Sequence, residues 1–264
     1  MHNFTYHRPR DLNAAIAQLR EASDAKLLAG GMTLLPTMKQ RLAAPSDVID
    51  LAGIPGLSGT TLDGNEVVIG AMTPHADVAA SDVVKQAIPA LASLAEAIGD
   101  PAVRHCGTIG GSVANADPAA DYPAGVLALD AIVETTERRI AADNFFVGLF
   151  ETALQPTEII TAVRFRIPDR ARYLKFPHPA SGYAVVGVFV AQFGAAVRVA
   201  VTGAGPHAFR VPEMEEALAQ DFSPEAIASV KVPPDTLMGD VHCSAAYRAH
   251  VIGVFARRAV GDLR

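Results

Sequence analysis

Two pairs of adjacent glycines carry the strongest chemical signal in this chain. Thr108-Ile109-Gly110-Gly111-Ser112-Val113-Ala114-Asn115 follows soon after Asp100-Pro101-Ala102-Val103-Arg104, and Leu27-Leu28-Ala29-Gly30-Gly31-Met32-Thr33-Leu34 lies far upstream. Glycine permits positive φ and close backbone approach, and successive bare N–H groups form a nest for an anion. In the upstream stretch an apolar, strand-like run precedes the glycines, and a hydroxyl and a helix start follow them. That order suits phosphate at a helix N-terminus. A single Gly-Gly more often makes only a turn. Two such pairs converging on one pyrophosphate point to a dinucleotide-type cofactor. Neither fits G-x-G-x-x-G or the P-loop pattern G-x-x-x-x-G-K-S/T.

Other side chains have a chemical reading and a plainer one. Asp117 and Asp121 follow the second glycine pair. A carboxylate there can accept hydrogen bonds from ribose or ribityl hydroxyls. It can equally cap the helix that Tyr122-Pro123 opens, which is the commoner use of such an Asp. Tyr183, in Pro179-Ala180-Ser181-Gly182-Tyr183, can lay its ring on a planar cofactor or simply pack at a strand's start. His75, His105, His178 and His207 belong to no i, i+4 metal pair and read as surface or satisfied buried imidazoles. Gly203-Ala204-Gly205 reads as a turn. No serine sits in a G-x-S-x-G elbow, and no acid–base pair stands out.

Composition narrows the classes further. Lys and Arg number 22 against 28 Asp and Glu, a net charge of -6 without a basic run, which counts against nucleic acid. Cys106 and Cys243 are too few for an iron–sulfur cluster or a structural zinc, and read as reduced thiols of a cytoplasmic protein. Met1-His2-Asn3-Phe4-Thr5-Tyr6 has no apolar core of a secretory signal. The apolar run from Tyr183 to Val197 is shorter than the roughly 20 residues of a membrane helix. Its many valines, with Gln192 and Gly194 near the middle, predict two buried strands around a turn.

These residues need elements to position them. The pattern predicts a strand over 4–7, a helix capped by Asp11 with Ala15, Ile16 and Leu19 inward, and a strand over 26–29. A helix over 34–41, with Pro36 in its first turn, and a strand over 47–51 complete a small, mostly parallel sheet. A hairpin follows, 60–61 against 66–70, then a short helix after Thr73. One helix is expected over 85–98, with Ile88, Leu91, Leu94 and Ala95 on a single face. Beyond the second glycine pair come a buried helix over 123–129 and strands over 131–134 and 159–165. Past Pro168-Asp169-Arg170, strands over 173–176 and 184–201, a turn over 202–206 and helices over 211–220 and 245–260 make an antiparallel sheet with helices.

Ala29-Gly30-Gly31-Met32-Thr33-Leu34-Leu35-Pro36-Thr37-Met38-Lys39 resembles the first flavin loop of the medium subunits of molybdenum hydroxylases, the family of aerobic carbon monoxide dehydrogenase and xanthine dehydrogenase. The run from Ile98-Gly99-Asp100-Pro101 through Thr108-Ile109-Gly110-Gly111-Ser112 to Asp117-Pro118-Ala119-Ala120-Asp121 resembles the second. Similarity continues through Leu154-Gln155-Pro156-Thr157-Glu158-Ile159-Ile160, His178-Pro179-Ala180-Ser181-Gly182-Tyr183 and Asp240-Val241-His242 to Tyr247-Arg248, covering essentially the whole chain in order.

The resemblance implies an α+β protein, with a two-part FAD-binding fold of the PCMH type followed by a C-terminal antiparallel sheet with helices. Its units would span 1–55, 56–168 and 169–264. Residues Leu27, Leu28, Ala29, Gly30, Gly31, Met32, Thr33 and Leu34, with Thr108, Ile109, Gly110, Gly111 and Ser112, would wrap the FAD pyrophosphate. Ile98 and Ile160 would line the pocket, Asp121 would bond the hydroxylated part of the flavin, and Tyr183 would sit near the isoalloxazine. This implication sets the cap reading of Asp121 aside. The implied function is electron transfer from 2Fe–2S clusters of a small partner subunit through FAD to an external acceptor. Substrate oxidation would occur on a molybdopterin-binding large subunit, in a cytoplasmic dimer of heterotrimers. Many relatives carry His and Ser where this chain has Met32 and Thr33, and Arg where it has Cys106. The rivals are a self-sufficient FAD-dependent oxidoreductase and a nucleotide-binding scaffold without redox chemistry.

Overall fold

In the computed structural model, which describes residues 1–263, three successive stretches of chain each build a sheet, and a short two-stranded hairpin joins the second. Arg264, the last residue of the expected third unit, lies outside the described residues.

The first stretch runs β1 (Thr5–His7), α1 (Leu12–Glu21), β2 (Ala25–Leu28), α2 (Leu34–Lys39) and β3 (Asp47–Asp50). Asp11 Oδ1 accepts from the Ala14 amide at 2.8 Å, capping α1 as its spacing predicts. The strands are parallel in the order β1-β3-β2, and Ile49 meets Ala15 beneath the helix. The carboxyl end of this sheet delivers the first glycine pair.

The second stretch opens with the hairpin β4 (Thr60–Asp63) and β5 (Glu66–Gly70), turning at Gly64 with φ of +58°. Six helices follow: α3 (His75–Ala80), α4 (Asp82–Ala87), α5 (Pro89–Glu96), α6 (Pro101–Cys106), α7 (Ile109–Asn115) and α8 (Tyr122–Ala128). The single helix expected over 85–98 is two. Proline at 89 has no N–H to continue the ladder and disfavours helical geometry at Ile88, so α4 stops there and α5 restarts with Pro89 in its first turn. Ile88, Leu91, Leu94 and Ala95 are nonetheless all buried, as their spacing requires. Then come β6 (Ile132–Thr135), β7 (Arg139–Ala141), the hairpin β8 (Phe146–Gly148) with β9 (Glu151–Thr152), and β10 (Ile160–Arg166). The main sheet is antiparallel, β4-β5-β10-β6-β7, with its last strand in sequence at its centre.

The third stretch is β11 (Arg170–Pro177), β12 (Ala184–Phe193), β13 (Ala196–Thr202), β14 (Phe209–Arg210), α9 (Pro212–Gln220) and α10 (Ala245–Gly261). Its antiparallel sheet runs β11-β12-β13-β14. Side chains alternate along β12: Val188 and Val190 join α9 and α10, whereas Phe189 and Ala191 join the core of the second stretch. Both faces are therefore covered, which is why this strand reads as an unbroken apolar run. No helix among the described residues is long and apolar enough to cross a membrane.

Candidate functional site

A cavity of about 850 Å³ lies between the loop leaving β2, the start of α7, the segment 117–121, the start of β10 and the turn between β11 and β12. Of the residues expected at the site, Leu27, Ala29, Gly30, Gly31, Met32, Thr33, Leu34, Ile98, Thr108, Gly110, Gly111, Ser112, Asp121, Ile160 and Tyr183 line it. Leu28 and Ile109 do not. The side chain of Leu28 packs under the turn, its Cδ1 within 3.1 Å of where a Cβ on Gly31 would stand. Ile109 is fully buried in the core of the second stretch.

The two glycine pairs serve different ends. In the first loop Gly31 adopts φ of +70°, and a Cβ on Gly30 would fall 2.0 Å from the Cys106 carbonyl oxygen. The loop thus lies flat on the 106–107 backbone. None of the amides from Gly30 to Leu34 donates to another group among the described residues, so a row of N–H groups is bare at the cavity wall. At the second pair that expectation is corrected. Ile109 N–H donates to the Thr73 carbonyl at 3.1 Å, Gly110 N–H to Ala71 at 2.8 Å and Ser112 N–H to Thr108 at 3.0 Å. Gly111 N–H donates to Oγ1 of Thr108, the cap of α7, at 3.1 Å. Gly110 is small because a Cβ would meet the Ala71 Cβ at 2.6 Å. Its role is helix-to-backbone packing.

Asp121 sits at the N-cap position of α8 but makes no capping bond, so the cap reading fails. Its carboxylate instead accepts from Tyr173 Oη at 2.5 Å and from Lys175 Nζ at 2.9 Å, both on β11. Lys175 also donates to the Ala97 carbonyl at 2.9 Å. Burial raises the Asp121 carboxyl above its ordinary range, opposed by the ammonium and the phenol. One partner on each oxygen leaves lone pairs free at the cavity wall. Asp117 accepts from the Ala119 amide at 2.9 Å, and burial raises its carboxyl as well. The Tyr183 ring is 46% exposed at the rim rather than packed away, and burial together with Asp117 and Asp121 raises its phenol.

Two further groups at the cavity were not among the expected site residues. His75 was expected to be satisfied or on the surface. It is buried at the cavity's edge, its Nδ1 has no hydrogen-bond partner among the described residues, and burial lowers its pKa to about 4. Glu158 is clamped by Arg138, with Nε at 3.0 Å from Oε1 and Nη2 at 3.1 Å from Oε2, and accepts from the Gln155 amide at 2.9 Å. The clamp holds the turn that places Leu154 and Ile160 in the apolar wall. Its partners stand 20 residues apart and share no local pattern. No group of three or more His, Cys, Asp or Glu among the described residues is arranged to hold a metal ion.

Bare amides on one wall, a carboxylate with free lone pairs on another and an apolar slot closed by a tyrosine fit a flavin nucleotide. Residues 2–169 match the family described as the FAD binding domain in molybdopterin dehydrogenase. This chain belongs to that family. It is an FAD-binding medium subunit of molybdenum hydroxylase type, and therefore part of an oxidoreductase. It is 36% identical to the carbon monoxide dehydrogenase medium chain of Hydrogenophaga pseudoflava, over 97% of this chain and 96% of that one. It is also 36% identical to the nicotine 6-hydroxylase medium subunit of Paenarthrobacter nicotinovorans, over 97% and 95%. Among solved structures, quinoline 2-oxidoreductase from Pseudomonas putida 86 superposes with a TM-score of 0.89 at 26% identity, covering 98% of this chain and 96% of that one. The names medium chain and medium subunit are those of components of larger assemblies.

Proposed function

We propose that this subunit holds FAD in the cavity and is the electron-transfer component of a cytoplasmic molybdenum hydroxylase, a dimer of heterotrimers. A large subunit with molybdopterin oxidises the substrate, and a small subunit with 2Fe–2S clusters delivers the electrons to the flavin site. The observation that carries the reading is the row of unpartnered amides from Gly30 to Leu34 facing a cavity that Tyr183 rims. Those amides would hold the pyrophosphate, with Thr108 and Ser112 beside them. Asp121 would accept from the hydroxylated chain of the cofactor. Ile98, Leu154 and Ile160 would keep water from the ring, and Tyr183 would cover it while leaving the rim open to an acceptor. When bound, FAD supplies a carrier that exchanges electrons singly or in pairs. The cavity carboxylates Asp121 and Glu158 are tied to Lys175 and Arg138, which fits a carrier better than a self-sufficient oxidoreductase. Relatives named for carbon monoxide and nicotine support placing substrate choice on the large subunit.

The test is a visible spectrum with flavin, iron and molybdenum analysis of the complex recovered through this chain. Flavin, iron and molybdenum with two co-purifying subunits support the proposal. Flavin with turnover by the isolated chain favours the self-sufficient enzyme, and an assembled complex without flavin overturns the reading.

A further inference from the structure

Between β11 and β12 the chain folds into a lip running from His178 to Tyr183, and Ala180, Ser181, Gly182 and Tyr183 line the cavity. Two backbone bonds close its base: His178 N–H to the Tyr183 carbonyl at 2.7 Å and Gly182 N–H to the His178 carbonyl at 2.9 Å. They leave the apex amides to be fixed by something else. That group is the His178 ring, whose Nδ1 accepts from the Ala180 amide at 3.2 Å and the Ser181 amide at 3.4 Å. Only an unprotonated ring nitrogen accepts, so the tautomer carries its proton on Nε2. The apex in turn holds the tyrosine, because Ser181 Oγ accepts from the Tyr183 amide at 3.3 Å.

The ring is braced from the far side. His242 meets it edge-on, with centroids 4.7 Å apart and planes at 69°. The loop bearing His242 is gathered by Asp240, whose Oδ1 accepts from the amides of His242 and Cys243, both at 2.8 Å. Oδ2 of Asp240 accepts from Arg248 Nη2 at 2.6 Å, and Nη1 of that α10 residue donates to the Val185 carbonyl at 2.6 Å and to Gly203. A continuous series of contacts thus joins α10 to the lip.

We propose that His178 is a positioning residue of the flavin site. Its neutral imidazole gathers the two apex amides, His242 holds the ring in place, and together they fix how Tyr183 closes over the cofactor. The inference rests on the proposed flavin site for its functional half; the ordering of the lip does not.

The test compares wild type with His178→Ala, His178→Gln and His178→Asn, since an Asn carbonyl stands near the position of Nδ1 and a Gln carbonyl does not. In the full chain without cofactor, amide hydrogen exchange over 178–183 should be roughly tenfold faster in the Ala and Gln variants, the loss of about one net hydrogen bond. The Asn variant should match wild type, and the unfolding midpoints should agree. In the FAD-loaded complex, Ala and Gln should raise iodide quenching of flavin fluorescence and release FAD several-fold faster, with Asn again near wild type. Unchanged exchange in the Ala variant overturns the positioning role. An Asn variant that behaves like Ala overturns the Nδ1 acceptor. A loosened lip with unchanged quenching and release overturns the link to the cofactor. A wild-type complex without FAD overturns the flavin reading, while exchange still decides the lip.

Discussion

At the scale of single residues, the cavity holds groups whose binding role and structural role are superposed, and substitutions must separate them. The side chains of Asp121 and Lys175 are 4% and 7% exposed, so removing Asp121 leaves the Lys175 ammonium buried without a counter-charge and the Tyr173 hydroxyl without its acceptor. Asp121→Ala should lower unfolding free energy by roughly 3–5 kcal/mol, measured by urea titration of the chain without cofactor. Adding Lys175→Met should restore part of that loss, because it removes the uncompensated ammonium while the Tyr173 hydroxyl stays without its acceptor. FAD affinity should stay weakened in both variants. If affinity returns with stability, Asp121 acts only through the fold. His75 gives a pH signature. Its folded pKa of about 4 lies below the ordinary 6.5, so the unfolded chain takes up the proton first. Proton uptake then favours unfolding, and stability contributed by the neutral imidazole is lost as pH falls from 6.5 towards 4, by up to about 3 kcal/mol. His75→Phe should flatten that slope in denaturant titrations at pH 7 and pH 5. A slope equal to wild type would show that other groups cause it.

At the scale of elements, the glycine loops differ in what their glycines meet. A Cβ on Gly30 would collide with the Cys106 backbone and one on Gly110 with Ala71, whereas one on Gly111 would stand 3.0 Å from the Thr108 cap hydroxyl and 3.5 Å from the Ala29 Cβ. Thermal unfolding of the three Ala variants should rank Gly30→Ala and Gly110→Ala as the more destabilised, by roughly 1–3 kcal/mol or more. Gly111→Ala should lose at most about 1 kcal/mol through its cap, yet retain less FAD than its stability implies. Equal losses at all three sites would mean that position 111 is packing alone. Much at this scale was legible. The Asp11 cap, the Gly64 turn, the parallel order of the first sheet and the buried β12–β13 hairpin follow from spacing and residue type. Pro89 breaks the helix, but the apolar face of Ile88, Leu91, Leu94 and Ala95 runs on across the break and hides it in the pattern. What could not be read were pairings across the chain. Asp121 meets partners 52 and 54 residues away, and no local pattern distinguishes such a carboxylate from a helix cap. For the same reason the second glycine stretch reads as bare: the amides of Ile109 and Gly110 find the carbonyls of Thr73 and Ala71, which only the tertiary fold brings there, while the bond from Gly111 to the Thr108 hydroxyl is local.

At the scale of the whole molecule, the family match ends at residue 169, but the site does not. Segment 117–121, which carries two of the cavity's carboxylates, Asp117 and Asp121, is held by the third stretch. Thr202 Oγ1 donates to the carbonyls of Pro118 and Ala120 at 2.9 and 2.6 Å, Gly203 N–H to Pro118 at 2.7 Å, and Ala184 N–H to Ala119 at 3.2 Å. Tyr173 and Lys175 orient Asp121 from the same sheet, and the turn between its first two strands carries Tyr183. Phe189, Ala191 and Ala200 close the core that α8 and α5 open, so removing them uncovers apolar side chains such as Leu91 and Leu94. A chain ending at 169 should therefore bind a hydrophobic dye, lack a cooperative unfolding transition and retain no FAD. Circular dichroism, dye fluorescence and flavin content on the truncated and full chains decide it. Cooperative unfolding with stoichiometric FAD in the shorter chain would show that the third stretch is an accessory. Loss of both would show that the first two stretches become a flavin site only against the sheet that follows them.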